Sequence, residues 1–112
     1  MQVKKTKTGK ISMRLDLIER TKLYHMLCNF LESESPTIQR TKLEKYNDVT
    51  LKLYYYTLNE LLIGMSFKLE SAEEKKIVIP TSQALASLWM LRDVDEDMTL
   101  ILIKSGLHKI LS

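Results

Sequence analysis

The chain has 112 residues, of which 45% are hydrophobic and 28% are charged, and its net charge is +3. This length and balance fit one globular domain and exclude a disordered or a fibrous chain. It has a single cysteine, no N-glycosylation triplet and no apolar run near the ~20 residues of a membrane-spanning helix. We therefore expect a cytoplasmic protein with no membrane partner.

The first ten residues are polar and basic and lack apolar periodicity, which predicts a disordered tail over 1–10 and one helix-rich domain over 11–112. Residues 1–16 carry five basic side chains and one acidic side chain, a net charge of +4 that suits a polyanion. A solvated tail that keeps the protein soluble is the alternative. The candidate binding residues of the tail are Lys4, Lys5, Lys7 and Lys10.

Apolar residues alternate at positions 11, 13 and 15, which predicts a short strand or the approach to the next helix. Over residues 17–33 an apolar stripe at three- and four-residue spacing predicts an amphipathic helix, with Asp16 as N-cap and Glu19 completing a capping box. His25 and Cys28 lie three apart on it, but a structural zinc site needs four ligands. We expect no metal site and a core position for Cys28.

Residues 37–80 contain the most specific pattern of the chain. A helix over about 38–46 and a turn at Asn47 and Asp48 precede a second helix, which Gly64 is expected to end. The apolar spacing of Leu43, Val49, Tyr54, Leu58 and Leu61 is typical of a helix-turn-helix. The alternating runs MSFKLE and KKIVIP, joined by SAEE, then predict a β-hairpin over residues 65–80.

This order of elements resembles a winged helix-turn-helix domain over residues 17–80. The resemblance implies an α+β fold, mostly α, with one β-hairpin and additional C-terminal helices. Winged helices mostly bind duplex DNA through the second helix of the motif, although the fold also serves as a protein-docking scaffold. A small helical bundle with the same apolar spacing is the alternative fold.

On that second helix, Lys52, Tyr56 and Asn59 share an arc beside the buried side, and Tyr55 lies at its border. On duplex DNA, Asn59 would read a base edge, Lys52 would neutralise a phosphate, and the tyrosine hydroxyls would bond backbone oxygens. A tyrosine cluster is equally common in a protein-binding surface. The predicted hairpin has an acidic tip, which departs from the basic wing of DNA-binding members.

Residues 81–112 predict two further helices. The first follows Pro80, is capped by Thr81 or Ser82, and buries Leu85, Leu88 and Trp89. An acidic turn follows, in which Asp95 or Asp97 caps the last helix. That helix, MTLILIKSGLHKILS, is apolar nearly all round, which predicts a homodimer formed through these C-terminal helices. A strand over TLILI is the alternative.

The sequence contains no nucleophile motif, no phosphate-binding glycine loop and no paired carboxylates placed for acid and base roles. We therefore expect a non-catalytic nucleic-acid-binding protein, with duplex DNA favoured, that uses the second helix of the motif and the basic tail. It would need no cofactor. The alternative function is a protein-docking or structural assembly module, and an enzyme is a distant third.

Overall fold

The computed structural model describes residues 1–33, 49–71 and 76–112, and within these ranges every side chain except those of residues 33, 49–55 and 71. In this part of the chain the fold is mixed α+β and mostly helical, as predicted. Its elements in order are β1 (Gln2–Lys5), β2 (Ile11–Arg14), α1 (Leu17–Ser33), α2 (Val49–Ser71), β3 (Lys76–Ile79), α3 (Thr81–Met90) and α4 (Met98–Leu111). The predicted helix over 38–46 and the turn at Asn47 and Asp48 lie outside the described residues.

The three strands form one antiparallel sheet in the order β1-β2-β3, so the predicted strand at Ile11 is confirmed as its central strand. Ile11 lies opposite Ile79 and Met13 lies opposite Ile77. All four side chains are buried in the helical core, so they define the inner face of the sheet. The residues between them in the strands belong to the outer face.

The prediction of a disordered tail over residues 1–10 was wrong. Residues Gln2–Lys5 form strand β1 and pair with β2 from Gln2 opposite Arg14 to Lys5 opposite Ile11. The side chain of Val3 packs against α4, where its Cγ2 lies 3.2 Å from the position that a Cβ on Gly106 would occupy. The Met1 methyl carbon lies at the same distance, so backbone pairing and two apolar contacts hold a segment whose polar composition suggested disorder.

The predicted hairpin over residues 65–80 was also wrong in its first half. Helix α2 continues through Met65 to Ser71, and only the second run, Lys76–Ile79, forms a strand. That strand pairs with β2 rather than with the run before it. Leu62, Met65 and Leu69 are all buried, and their spacing follows the helical period instead of the alternation of a strand.

Gly64 lies inside α2 and does not end it. A Cβ at this position would lie 2.8 Å from Nε2 of Gln83 on α3. The glycine is therefore explained by the close approach of two helices rather than by a helix end.

The predicted capping box of α1 is confirmed. The backbone N–H of Glu19 donates to Oδ1 of Asp16 at 2.8 Å, and the N–H of Asp16 donates to Oε1 of Glu19 at 2.9 Å. Leu23 and Leu27 are fully buried on the inner side of this helix, whereas Cys28 is half-buried at the edge of the core.

Helix α3 begins after Pro80 without a side-chain cap, so the predicted caps at Thr81 and Ser82 were wrong. Its buried face was misassigned at one position, because Leu85 is 50% exposed, while Leu88 and Trp89 are half-buried. The helix packs instead through a face of mostly small residues, which lets it approach its neighbours closely. The buried residues are Ala84, Ala86, Ser87 and Met90.

The last segment is a helix, α4, so the alternative strand over TLILI was wrong. Its predicted cap is confirmed at Asp97, whose Oδ1 accepts from the N–H groups of Thr99 at 3.0 Å and Leu100 at 3.2 Å. Lys22 of α1 also donates to this carboxylate, at 3.1 Å. Asp97 thus joins the start of α4 to α1.

We expect the contribution of Asp97 to stability to depend on pH. Hydrogen bonds from Lys22 and from the Leu100 N–H hold the pKa of Asp97 below its ordinary value of 3.8. The folded state therefore binds this proton less readily than the unfolded state, so the stabilisation is present above pH 3.8 and is lost as the pH falls through the folded pKa. At neutral pH, Asp97→Ala should lower the melting temperature by about 4–8 °C. Melting curves should show this difference narrowing in acid, and an unchanged difference would contradict the assignment.

Candidate nucleic-acid interface

The four lysines predicted to bind a polyanion lie on a β-hairpin. Its turn is closed by hydrogen bonds from the Gly9 N–H to the Thr6 carbonyl at 3.1 Å and from the Thr6 N–H to the Lys10 carbonyl at 2.9 Å. Gly9 has a φ of +81°, a left-handed conformation that is common at the end of three-residue hairpin loops and that favours glycine. We call residues 4–10 the basic hairpin. All four of its lysines, Lys4, Lys5, Lys7 and Lys10, are exposed.

The basic hairpin is fixed to the body of the protein at two points. Near its tip, the hydroxyl of Thr81 on α3 donates to the Gly9 carbonyl at 2.9 Å. At its base, Val3 contacts α4 beside Gly106. Because both strands are also paired, the lysines extend from an ordered backbone rather than from a mobile chain. An ordered hairpin therefore loses less conformational entropy on binding a rigid partner than a disordered tail would lose.

Two further basic residues continue this surface onto the outer face of the sheet. Arg14, at the end of β2, and Lys76, at the start of β3, are both exposed and lie opposite each other. In the sequence-based prediction, Arg14 contributed only to the charge of the first sixteen residues. Lys76 was assigned to a hairpin of zero net charge. The alternation of Met13 and Arg14 was the available signal for an outward-facing arginine.

The surface formed by these six cations has little local charge compensation. Within residues 1–33, 49–71 and 76–112, no carboxylate forms an ion pair with any of the six. Elsewhere in the same ranges, Lys22 pairs with Asp97 at 3.1 Å and Arg92 pairs with Asp93 at 3.6 Å. The positive charge is therefore concentrated on the hairpin and the outer face of the sheet, which is the arrangement that attracts a polyanion.

The candidate residues of the second helix lie elsewhere on the molecule. Tyr56 is 56% exposed and Asn59 is half-buried, both in the N-terminal half of α2, while the side chains of Lys52 and Tyr55 lie outside the described residues. Gly64 of α2 lies beside the start of α3, where the hairpin turn is attached. Tyr56 is eight residues earlier, about 12 Å along the helix axis. The structure thus places the four lysines on one hairpin, with Lys4 opposite Ser12 and Lys5 opposite Ile11, and leaves Tyr56 and Asn59 as a separate group.

An apolar groove of about 320 Å³ lies between α2 and α3. The ring of Trp89 lines this groove. It makes an edge-to-face contact with the ring of Phe30, with 5.9 Å between the ring centroids. The guanidinium carbon of Arg92 lies 3.7 Å from the centroid of the Trp89 ring. The other lining residues are Thr57, Leu58, Leu61, Ser82, Leu85 and Ala86. The described residues that line the groove include no acid, base or thiol nucleophile, and their chemistry suits an apolar contact rather than a reaction.

Metal coordination finds no support in the part of the chain that the structure describes, where no three His, Cys, Asp or Glu side chains are grouped to hold an ion. His25 is exposed and Cys28 is half-buried on α1. A hydrogen bond with the Cys28 thiol is the main cause that raises the pKa of Tyr24 on the same helix. Among the described helices, none is long and apolar enough to cross a membrane.

Comparisons of the chain with protein-family models, with curated proteins and with solved structures found no match. Any function assigned to this protein therefore rests on its own residues.

Proposed function

We propose that this protein is a non-catalytic nucleic-acid-binding protein of the cytoplasm that favours duplex DNA, and that the basic hairpin makes its main contact. The observation that supports this most strongly is the ordered placement of Lys4, Lys5, Lys7 and Lys10 on a hairpin whose sequence contains no acid. Each lysine that neutralises a phosphate releases condensed counterions, which is the largest sequence-independent source of affinity for DNA.

The resemblance to a winged helix-turn-helix enters this proposal in an altered form. The described part of residues 65–80 contains no hairpin that could serve as a wing. The basic hairpin at the N-terminus has the exposed positive tip that a wing on the phosphate backbone requires, and we assign it that role. Helix α2 would supply a second contact through Tyr56 and Asn59, with Lys52 and Tyr55 on the preceding turn.

The proposal is tested by fluorescence anisotropy with two labelled duplexes of unrelated sequence at 50 mM salt. We expect both duplexes to bind with similar affinity, because phosphate contacts position a protein on DNA without reading its sequence. A strong preference for one duplex would instead make base contacts by α2 the main interaction. Binding to neither duplex would contradict the proposal and leave a docking function ahead.

A protein-docking or assembly module is the alternative function, and the groove between α2 and α3 favours it. Leu85 and Trp89 line the groove, and Leu85 is 50% exposed. Apolar and aromatic side chains at such a site are typical of the core of a protein interface. In this case Leu85→Glu would abolish partner binding, whereas neutralising the hairpin lysines would leave it intact.

We further propose that the protein forms a homodimer through α4. Met98 and Leu102 lie four residues apart on this helix and are 67% and 53% exposed, although Leu100 and Ile103 beside them are buried. The double variant Met98→Glu with Leu102→Glu should be monomeric in light scattering at tens of micromolar, where the intact chain should be dimeric. Leu85→Glu, a matched change at an exposed leucine of α3, should remain dimeric. A monomeric intact chain would contradict the dimer.

A further inference from the structure

The outer face of the sheet contains an unfavourable pair of like charges. Arg14 lies directly opposite Lys76 across β2 and β3, and Gln2 lies opposite Arg14 on the other side. Both cations are exposed, and their neighbours Met13 and Ile77 are buried on the inner face. Side chains opposite each other in an antiparallel sheet lie within contact distance, and like charges there destabilise the pairing.

Among the described residues, no carboxylate forms an ion pair with Arg14 or Lys76, so this repulsion is not compensated by one. Asp16 and Glu19 share a shallow depression with Arg14. Their carboxylates, however, accept the backbone hydrogen bonds of the α1 capping box at 2.8 and 2.9 Å, which directs them toward the helix start. A local cost of this kind, with no compensating contact, is typical of residues that serve a ligand.

We propose that Arg14 and Lys76 form an anion-binding pair that holds a phosphate group of the nucleic-acid backbone. The inference rests on the proposed function and adds a second contact zone to it. The arginine offers a planar fork of N–H donors that matches two phosphate oxygens, and the lysine adds a point charge. A bound phosphate would replace one repulsion by two attractions.

The position of the pair extends the line of the basic hairpin. Lys10 directly precedes β2 and Arg14 ends it four residues later, a distance of up to about 14 Å along an extended backbone. One DNA strand carries a phosphate about every 3.4 Å measured along the helix axis, so this distance is large enough for the hairpin and the pair to contact different phosphates of one duplex.

The composition of the outer face favours the backbone of a duplex over unstacked bases. Its described side chains are those of Gln2, Lys4, Ser12, Arg14, Lys76 and Val78, of which Ser12 is buried and Val78 is half-buried. None of these six is aromatic, so this face offers no platform on which the bases of a single strand could stack. We therefore expect duplex to compete effectively against a single strand of the same length.

The test is the double variant Arg14→Gln with Lys76→Gln. Without a ligand it should melt about 1–5 °C higher than the intact protein, because the repulsion is removed. Its affinity for duplex at 50 mM salt should fall at least about tenfold, and the log–log salt slope should become shallower by about 0.9, the contribution of the one phosphate that the pair holds. Arg92→Gln with Lys109→Gln, the same charge change outside the hairpin and sheet, should leave duplex affinity and the salt slope unchanged. A rise in stability combined with a loss of binding distinguishes a ligand contact from a structural role.

A second measurement separates this proposal from the proposed function. Inorganic pyrophosphate should raise the melting temperature of the intact protein and of Lys7→Gln with Lys10→Gln, but not that of the Arg14 and Lys76 variant. If the variant binds duplex and responds to pyrophosphate as the intact protein does, the pair is overturned while DNA binding by the hairpin stands. If pyrophosphate acts through the pair but no duplex binds, the proposed function fails and the pair stands only as an anion site without the nucleic-acid ligand. If the intact protein responds to neither ligand, both are overturned.

Discussion

Replacing the four hairpin lysines, Lys4, Lys5, Lys7 and Lys10, by glutamine should weaken duplex binding at least about a hundredfold at 50 mM salt. Each lysine that contacts a phosphate contributes about 0.9 to the log–log salt slope, so four contacts account for a change of about 3.6. The fold should survive, because these side chains are exposed and the turn is closed by backbone atoms and by the Thr6 hydroxyl. Anisotropy titrations at several salt concentrations measure both quantities.

A matched pair of variants separates the position of charge from its amount. The first variant, Lys7→Gln with Lys10→Gln, removes two positive charges at the hairpin tip. The second, Arg92→Gln with Lys109→Gln, removes two positive charges elsewhere, one after α3 and one on α4. Only the first should weaken binding. Equal losses in the two variants would mean that net charge, rather than the basic hairpin, determines affinity. Substitution is preferable to deleting residues 1–10, because the deletion would remove strand β1 and disturb the sheet.

Leu62→Ala should destabilise the protein by about 2–5 kcal/mol, a large part of the stability of a domain of this size. Leu62, on α2, is fully buried in the hydrophobic core. Its neighbour Ile63 is 43% exposed and loses the same three carbon atoms on truncation, so Ile63→Ala should cost under about 1 kcal/mol.

Thermal or denaturant unfolding of this pair tests the orientation of α2 directly. A severe loss for Ile63→Ala with a benign Leu62→Ala would mean that the helix is rotated. The exposure of Tyr56, seven residues before Ile63 and on the same side, would then also be wrong, and with it the second contact proposed for DNA.

Features that depend on neighbouring residues in the chain could be predicted from the sequence. The capping box of Asp16 and Glu19, the cap at Asp97 and the apolar stripe of α1 each involve residues within a few positions of one another, and all three are present. The prediction that the last segment is a helix also rested on the pattern of neighbouring residues.

Features that depend on pairing between distant segments could not be predicted in this way. Strand β1 is held by β2 and α4, which its polar sequence does not indicate. The run around Phe67 and Leu69 alternates like a strand, but burial of Leu62, Met65 and Leu69 together fixes it as helix. The four lysines were identified by their charge alone, whereas Lys76 joins Arg14 only because β3 pairs with β2.

The central claim, that an ordered basic hairpin binds the DNA backbone, is tested most directly by the salt dependence of duplex binding by the intact protein. The four hairpin lysines with the Arg14 and Lys76 pair predict a log–log slope of about −4 to −5, with the same slope for unrelated sequences. No binding at 50 mM salt, or a slope near zero, would contradict the claim.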